Sequence, residues 1–414
     1  KFSIPYPYPV AQSVEASSGM EYPMICFNNG RTNKDGTYSE GTKYGMIGVI
    51  THEVGHNFFP MIVNSDERQW SWMDEGLNTF VEYLTEELFD NKYPSRRGPA
   101  FTITDYMKLP KDQLEPIMTN SENIIGFGPN AYSKPATGLN MLRETIMGRE
   151  LFDYAFKEYA RRWAFKHPTP ADLFRTLEDA SGEDLDWFWR GWFYSTDACD
   201  ISLDSVKYAK ADLNAPPPTA NTVMQPLARP QVNSFEDISK VRNRQDPNIK
   251  FSTDKDTSLR DFYWRYDRGM EPYDTAKYSV SFGPQVEDMT EEEKQKIANK
   301  HFYELKFSNK GGLVMPIIIE WTYKDGTKEI DRIPAQVWRL NENSVTKFFI
   351  KDKEVASIRL DPMRETADIN ESNNTWGSAI PEPSKFAVFK MKQAARGQTQ
   401  GANPMQKAQE KKGF

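Results

Sequence analysis

The chain has 414 residues, 38% hydrophobic and 13% aromatic, and its 52 Lys and Arg against 59 Asp and Glu leave a formal net charge of −7. That length allows two or three domains with real apolar cores, while the acidic balance and the lack of a basic stripe argue against nucleic acid or an anionic membrane as partner. No apolar run reaches about 18 residues, so no membrane-spanning helix is expected, and Cys26 and Cys199 read as free buried thiols rather than a disulfide.

The first element with chemical content is Thr51-His52-Glu53-Val54-Gly55-His56, which holds two of the four histidines in the chain. On a helix this spacing puts both imidazoles on one face, where they can share a metal ion. Glu53, one step round, reaches water at that ion as a general base. After His56 come 18 residues and then Glu75, within Trp72-Met73-Asp74-Glu75-Gly76. Leu77, Phe80, Val81 and Leu84 keep the spacing of a packed helix from there. A helix–loop–helix of this length can fold back to present Glu75 as a third ligand, and two histidines with a carboxylate are a frequent catalytic zinc set. Taken alone, Glu75 is an ordinary acid near a helix N-terminus. Glu82 reads equally as support for a histidine's other nitrogen or as part of a solvated face.

Helical patterns continue over residues 138–148, 151–164 and 170–180. Residues 184–194 gather Trp187, Phe188, Trp189, Trp192 and Phe193, an aromatic group expected in a core. His167, before Pro168, reads as a surface loop residue. Ile201–Lys210 has the pattern of a strand, and Pro216-Pro217-Pro218 then opens a polar stretch to about Arg260, expected as a linker or loose wrapping segment. Residues 262–282 are tyrosine-rich with room for a strand or two, and Thr290 with Glu293 gives the N-cap pattern of a helix over 290–299. From His301 the period switches to two. Residues 302–308, 315–322, 327–334, 346–350 and 357–361, separated by turn signals such as Asp325-Gly326, predict a small β-sandwich. His301 opens its first strand and is no metal candidate; the tail from about Lys392 reads as disordered.

The His52-Glu53-x-x-His56 helix followed by Glu75 resembles the aminopeptidase N family of gluzincin zinc metallopeptidases. Two further segments carry the resemblance. Ser18-Gly19-Met20-Glu21-Tyr22-Pro23 is similar to the family's Gly-x-Met-Glu-Asn exopeptidase signature, with Tyr22 in place of Asn. Asn130-Ala131-Tyr132-Ser133-Lys134-Pro135-Ala136 is similar to the segment bearing the family's catalytic tyrosine, with Pro135 where Gly is more usual. The resemblance runs in order from about Pro5 to Trp192.

It implies an α/β plus β fold class. A thermolysin-like, mainly helical catalytic domain is expected over residues 1–200, a linker or wrapping segment over 201–295, a C-terminal β-sandwich over 296–375 and a largely disordered tail over 376–414. It also implies one Zn2+ held by His52, His56 and Glu75, with Glu53 as base and Tyr132 as donor to the oxyanion. Gly19, Met20 and Glu21 become substrate-binding: the Glu21 carboxylate pairs with the substrate's α-amine, and the backbone beside it pairs with the peptide by strand addition. Without the family, Glu21 is a surface carboxylate and Tyr132 a core or interface aromatic. In the family this signature lies well inside the polypeptide, so its appearance at residue 19 predicts a fragment lacking an N-terminal domain and the first catalytic strands. No helical repeat array is visible. The expected activity is that of a zinc aminopeptidase acting on peptides with a free N-terminus. A noncatalytic zinc-binding relative serving as a scaffold and a gluzincin endopeptidase stay as alternatives, Glu21 weighing against the latter. A secreted or periplasmic setting is favoured; the preferred first residue of the substrate and the oligomeric state are not legible.

Overall fold

The computed structural model describes residues 3–16, 19–29, 32–210, 237–256, 259 and 295–377. The expectations for residues 262–282, for the cap at Thr290 and Glu293, and for the tail from Lys392 fall outside them, as does the triple proline.

Three short strands open the chain: β1 (Gln12–Ala16), β2 (Met20–Tyr22) and β3 (Ile25–Asn29). They form a sheet in the order β1-β3-β2, with β1 parallel and β2 antiparallel to the central strand. The sheet leaves Glu21 on an edge strand, opposite Cys26. Helix α1 (Glu40–Gly55) starts where the Ser39 side chain accepts from the Thr42 amide, satisfying one of the free N–H groups of a first turn. A wide, π-type turn at Trp72–Gly76 runs directly into α2 (Leu77–Phe89), so Glu75 enters the helix one turn ahead of its regular part. Leu77, Phe80, Tyr83 and Leu84 bury one face of α2, as their spacing requires.

Beyond the one-turn α3 (Thr104–Met107), α4 (Lys134–Met141) is buried along its whole length. α5 (Arg149–Trp163) and α6 (Pro170–Ser181) pack against each other, α6 opening with a Thr169–Asp172 capping box and stopping at Gly182 in the left-handed conformation. α7 (Asp186–Phe188) leads into the aromatic segment, where Trp189 stacks on Phe174 at 4.4 Å between ring centres. Trp189, Trp192 and Phe193 are core residues, and His167 is exposed.

β4 (Ile201–Lys210) pairs antiparallel with β5 (His301–Asn309), and β5 with β8 (Ser344–Lys351). The second antiparallel sheet has the order β10-β9-β6-β7, from β6 (Ile317–Tyr323), β7 (Lys328–Ile333), β9 (Val355–Leu360) and β10 (Thr375–Trp376). Alternation puts Tyr303, Leu305 and Phe307 of β5 inward. Trp321 of β6 meets Tyr303 at 5.7 Å and Phe349 of β8 at 5.0 Å between ring centres, joining the two sheets. His301, on β5, lies beside the Tyr208 hydroxyl, far from the other histidines in sequence.

Residues 237–256 fall in the stretch expected as a linker or loose wrapping segment, and they carry regular structure of their own. They contain α8 (Ile238–Gln245) and the single turn α9 (Ser252–Lys255). Their hold is tertiary: Tyr83 donates to Asp237 at 2.9 Å, Lys240 to Glu87 at 2.8 Å and Arg242 to Glu144 at 3.0 Å. Helix propensity in a polar octapeptide is too weak a signal to reveal such anchoring. Cys26 and Cys199 are buried and unbonded to each other. Among the described residues no helix is long and apolar enough to cross a membrane.

Candidate metal centre

His52 lies on the last turn of α1 and His56 caps its C-terminus, both buried, with Glu53 between them in sequence. α2 folds back antiparallel against that turn and sets the ring orientations. His52 Nδ1 donates to Glu82 Oε2 at 3.0 Å; His56 Nδ1 donates to the Phe59 carbonyl at 3.0 Å and has Asp74 Oδ1 at 2.9 Å. Carboxylates and carbonyls only accept, so these partners place a proton on each Nδ1 and leave each Nε2 as a lone pair. Glu82, ambiguous in the sequence, is thus turned inward.

The two Nε2 atoms and Glu75 Oε2 then converge. His52 Nε2 is 3.1 Å from His56 Nε2 and 3.1 Å from Glu75 Oε2, and His56 Nε2 is 3.3 Å from that oxygen. A tetrahedral zinc ion about 2.0–2.1 Å from each of three such donors needs them about 3.3 Å apart. Three acceptors face one another with no hydrogen between them in these tautomers, an arrangement that calls for a cation. The donor set therefore fits zinc. The same electrostatics act on the metal-free protein: burial lowers both histidines, but hydrogen bonds to Glu75 and Glu82 raise His52 to about 9, and contacts with Asp74 and Glu75 raise His56 to about 11. Glu75, although buried, is pulled well below the usual carboxylate range by the two imidazoles.

Glu53 is buried, with Oε2 free of any hydrogen-bond partner and its carboxyl pushed up by burial. Its other oxygen lies close to residue 19, where a Cβ would sit 2.5 Å from Oε1, so a side chain there would push this carboxylate aside. Glu21 brings a carboxylate oxygen within 4.8 Å of both a His56 ring nitrogen and an Asp74 oxygen. Its neighbour Met20, on the same edge strand, is 40% exposed. Tyr132 comes from the π-type turn Gly128–Ser133 ahead of α4; its hydroxyl donates to Glu75 Oε1 at 2.5 Å and its ring stacks on His52. Burial and the Glu75 charge push its phenol up, and the Arg97 guanidinium lies 4.6 Å above the ring.

The structure thus gathers Gly19, Glu21, His52, Glu53, His56, Glu75 and Tyr132 around one point. Sequence reasoning passed over Asp74, Asn78 and Arg97. Asp74 adjoins Glu75 and was within reach of inference. Arg97 sits in a loop whose course no local pattern reveals, and Asn78 meets its partner only where α2 packs on α1.

Residues 1–192 match the Peptidase family M1 domain. Aminopeptidase M1-A of Oryza sativa subsp. japonica is 26% identical over 204 residues, covering 46% of this chain and 23% of that protein. Probable aminopeptidase 1 of Sulfurisphaera tokodaii is 26% identical over 226 residues, covering 50% and 28% respectively. The chain matches about a quarter of the length of these relatives. The solved structure of Legionella pneumophila aminopeptidase A in complex with aspartic acid overlays 86% of this chain and 31% of that one, at 13% identity and a TM-score of 0.47, too loose to carry an argument. Residues 1–192, which contain every side chain of the cluster, are thus similar to the peptidase domain of M1-family aminopeptidases.

Proposed function

We propose that this chain carries the active centre of a zinc-dependent aminopeptidase that hydrolyses the first peptide bond of substrates with a free N-terminus. The observation that supports it best is the convergence of His52 Nε2, His56 Nε2 and Glu75 Oε2, with Glu21 beside them on an edge strand. On this reading the helices form a thermolysin-like catalytic domain and the two antiparallel sheets a β-sandwich behind it.

His52, His56 and Glu75 would hold the ion, whose contribution is Lewis acidity toward water and the scissile carbonyl. Glu53, with one oxygen unpartnered, accepts the proton of the attacking water and returns it to the leaving amine. Tyr132 turns its hydroxyl from Glu75 to the oxygen that becomes negative in the tetrahedral intermediate. Its raised pKa keeps it a donor throughout. Glu21 pairs with the substrate's ammonium and so places the first peptide bond, rather than an interior one, at the base. Gly19 lets the substrate-side strand approach Glu53 without a Cβ in the way.

The test is bound zinc together with chelator-sensitive hydrolysis of free and N-acetylated aminoacyl substrates, using the full-length protein. The reading expects about one zinc per chain, cleavage of the free amines and hundredfold or greater loss on acetylation, on the order of one buried charge pair. Equal rates on both would point to an endopeptidase. Zinc binding without hydrolysis by any preparation would leave a noncatalytic scaffold. Glu53→Gln should keep zinc and lose turnover.

A further inference from the structure

Asn78 stands on the first turn of α2 and is 1% exposed. Its side chain crosses to α1, where Nδ2 donates to the backbone carbonyl of His52 at 2.7 Å. That carbonyl already accepts from the His56 amide at 3.2 Å within the helix. The crossing is possible because residue 55 is glycine: a Cβ there would fall 2.1 Å from Asn78 Oδ1 and 3.2 Å from its Cγ. Oδ1 itself is buried and accepts no hydrogen bond.

Ordinary packing would not choose this pair. Glycine within a helix gives up helix propensity, and a buried amide with an unsatisfied oxygen is a cost that an apolar side chain of the same shape avoids. Both costs fall at the turn that carries the two histidines. The extra hydrogen bond runs to the carbonyl of one of them, and the helix bond sharing that acceptor begins at the other. Fixing this carbonyl fixes the pitch of the turn, and with it the 3.1 Å separation of the two Nε2 atoms.

We propose that Asn78 is a positioning residue of the metal centre, clamping the His52–His56 turn through the His52 carbonyl, with Gly55 as the notch that admits it. The inference rests on the zinc reading above. It adds that two residues touching neither metal nor substrate set the affinity of the site.

Four variants test it: Asn78→Leu, which keeps the shape and removes the donor, Asn78→Ala, Gly55→Ala, and the double variant Gly55→Ala/Asn78→Ala. Zinc affinity is read by competition with a chromophoric chelator, and ligand geometry by the visible spectrum of the Co2+-substituted protein. Thermal unfolding of the metal-free form reports structural damage. Asn78→Leu is expected to weaken zinc about tenfold and shift the Co2+ bands while leaving the metal-free unfolding midpoint near wild type. Gly55→Ala should show a similar loss alone and little further loss on top of Asn78→Ala, because the clash needs both side chains. If Asn78→Ala does not fold, Asn78→Leu and Gly55→Ala still decide. Zinc affinities within about two-fold of wild type and an unchanged Co2+ spectrum in the Asn78 variants would overturn the clamp while leaving the zinc reading intact. A wild-type protein that takes up no zinc would overturn both.

Discussion

Replacing Glu82 probes the proposed metal centre without touching a proposed ligand. Its Oε2 accepts from His52 Nδ1 at 3.0 Å, and its side chain is 16% exposed, so bulk water offers little substitute. A hydrogen bond to a charged group contributes about 1.5–3 kcal/mol net, and about 1.4 kcal/mol corresponds to a factor of ten in binding. Glu82→Ala should therefore weaken zinc about 10- to 100-fold, the range found when partners of metal-bound histidines are removed. The loss should sit toward the lower end, since Asn78 still holds the backbone of His52. Glu82→Gln keeps an acceptor oxygen and discards the charge, so it should lose less than the alanine variant. Chelator competition at fixed pH and ionic strength gives both numbers. If Glu82→Ala holds zinc as tightly as wild type, the orientation of the His52 ring does not depend on the Glu82 hydrogen bond, and Glu82 has no part in preorganising the centre.

Three other perturbations reach different parts of the molecule. On the proposed mechanism Tyr132→Phe removes one oxyanion donor and should lower kcat about 10²–10³-fold with zinc content and KM little changed; a loss confined to KM would reassign Tyr132 to substrate binding. Lys240→Met leaves Glu87, whose side chain is 2% exposed, without its cation, and should cost about 3 kcal/mol in urea unfolding, near the low end for buried pairs because Lys240 is 23% exposed. Pairing it with Glu87→Leu should restore most of that, and a double variant no better than the single would count against the pairing. Burial, and then the Glu82 charge, raise Glu86 to about 8, so between about 4.5 and 8 the folded state binds a proton that the unfolded state has lost. Stability from this group is complete below about pH 4.5 and disappears as pH rises through about 8; Glu86→Gln should match wild type at about pH 5 and exceed it at about pH 9, whereas parallel curves would contradict the assignment.

The proposed metal ligands were legible because their geometry is local. Two histidines four apart on a helix share a face whatever surrounds them, and Glu75 followed at a spacing that a helix–loop–helix can close. The strands after residue 300 announced themselves by alternation. What escaped is what depends on the partner. Ile201–Lys210 is visible as a strand, but nothing local tells that it pairs with His301–Asn309, roughly a hundred residues on. Ile238–Gln245 is polar and short, and its helix stands on Asp237, Lys240 and Arg242 meeting side chains far upstream. His56 Nδ1 finds its acceptor at Phe59 only because the chain bends sharply after α1.

Glu82 shows most clearly why the periodicity of α2 left two readings open. Leu77, Phe80, Tyr83 and Leu84 define an apolar face, which leaves the opposite face to be read as solvated. That opposite face is a ridge of polar side chains at four-residue intervals, Asp74, Asn78, Glu82 and Glu86, and it is buried against α1. The two helices run antiparallel, so Asn78 meets Gly55, Glu82 meets His52 and Glu86 meets Gly48. Gly48 and Gly55 of α1 stand where polar side chains of α2 arrive: a Cβ on Gly48 would lie 3.2 Å from Glu86 Oε1, and one on Gly55 would overlap Asn78. Two histidines and two glycines on one helix, facing an acid–amide–acid–acid row on the next, form a single polar seam, with the proposed zinc site at one end and the proton-holding Glu86 at the other. Glu82 belongs to both ends, bonding His52 and raising Glu86. Neutralising it should therefore loosen the metal and ease the alkaline penalty together, a coupling that separate sites would not produce.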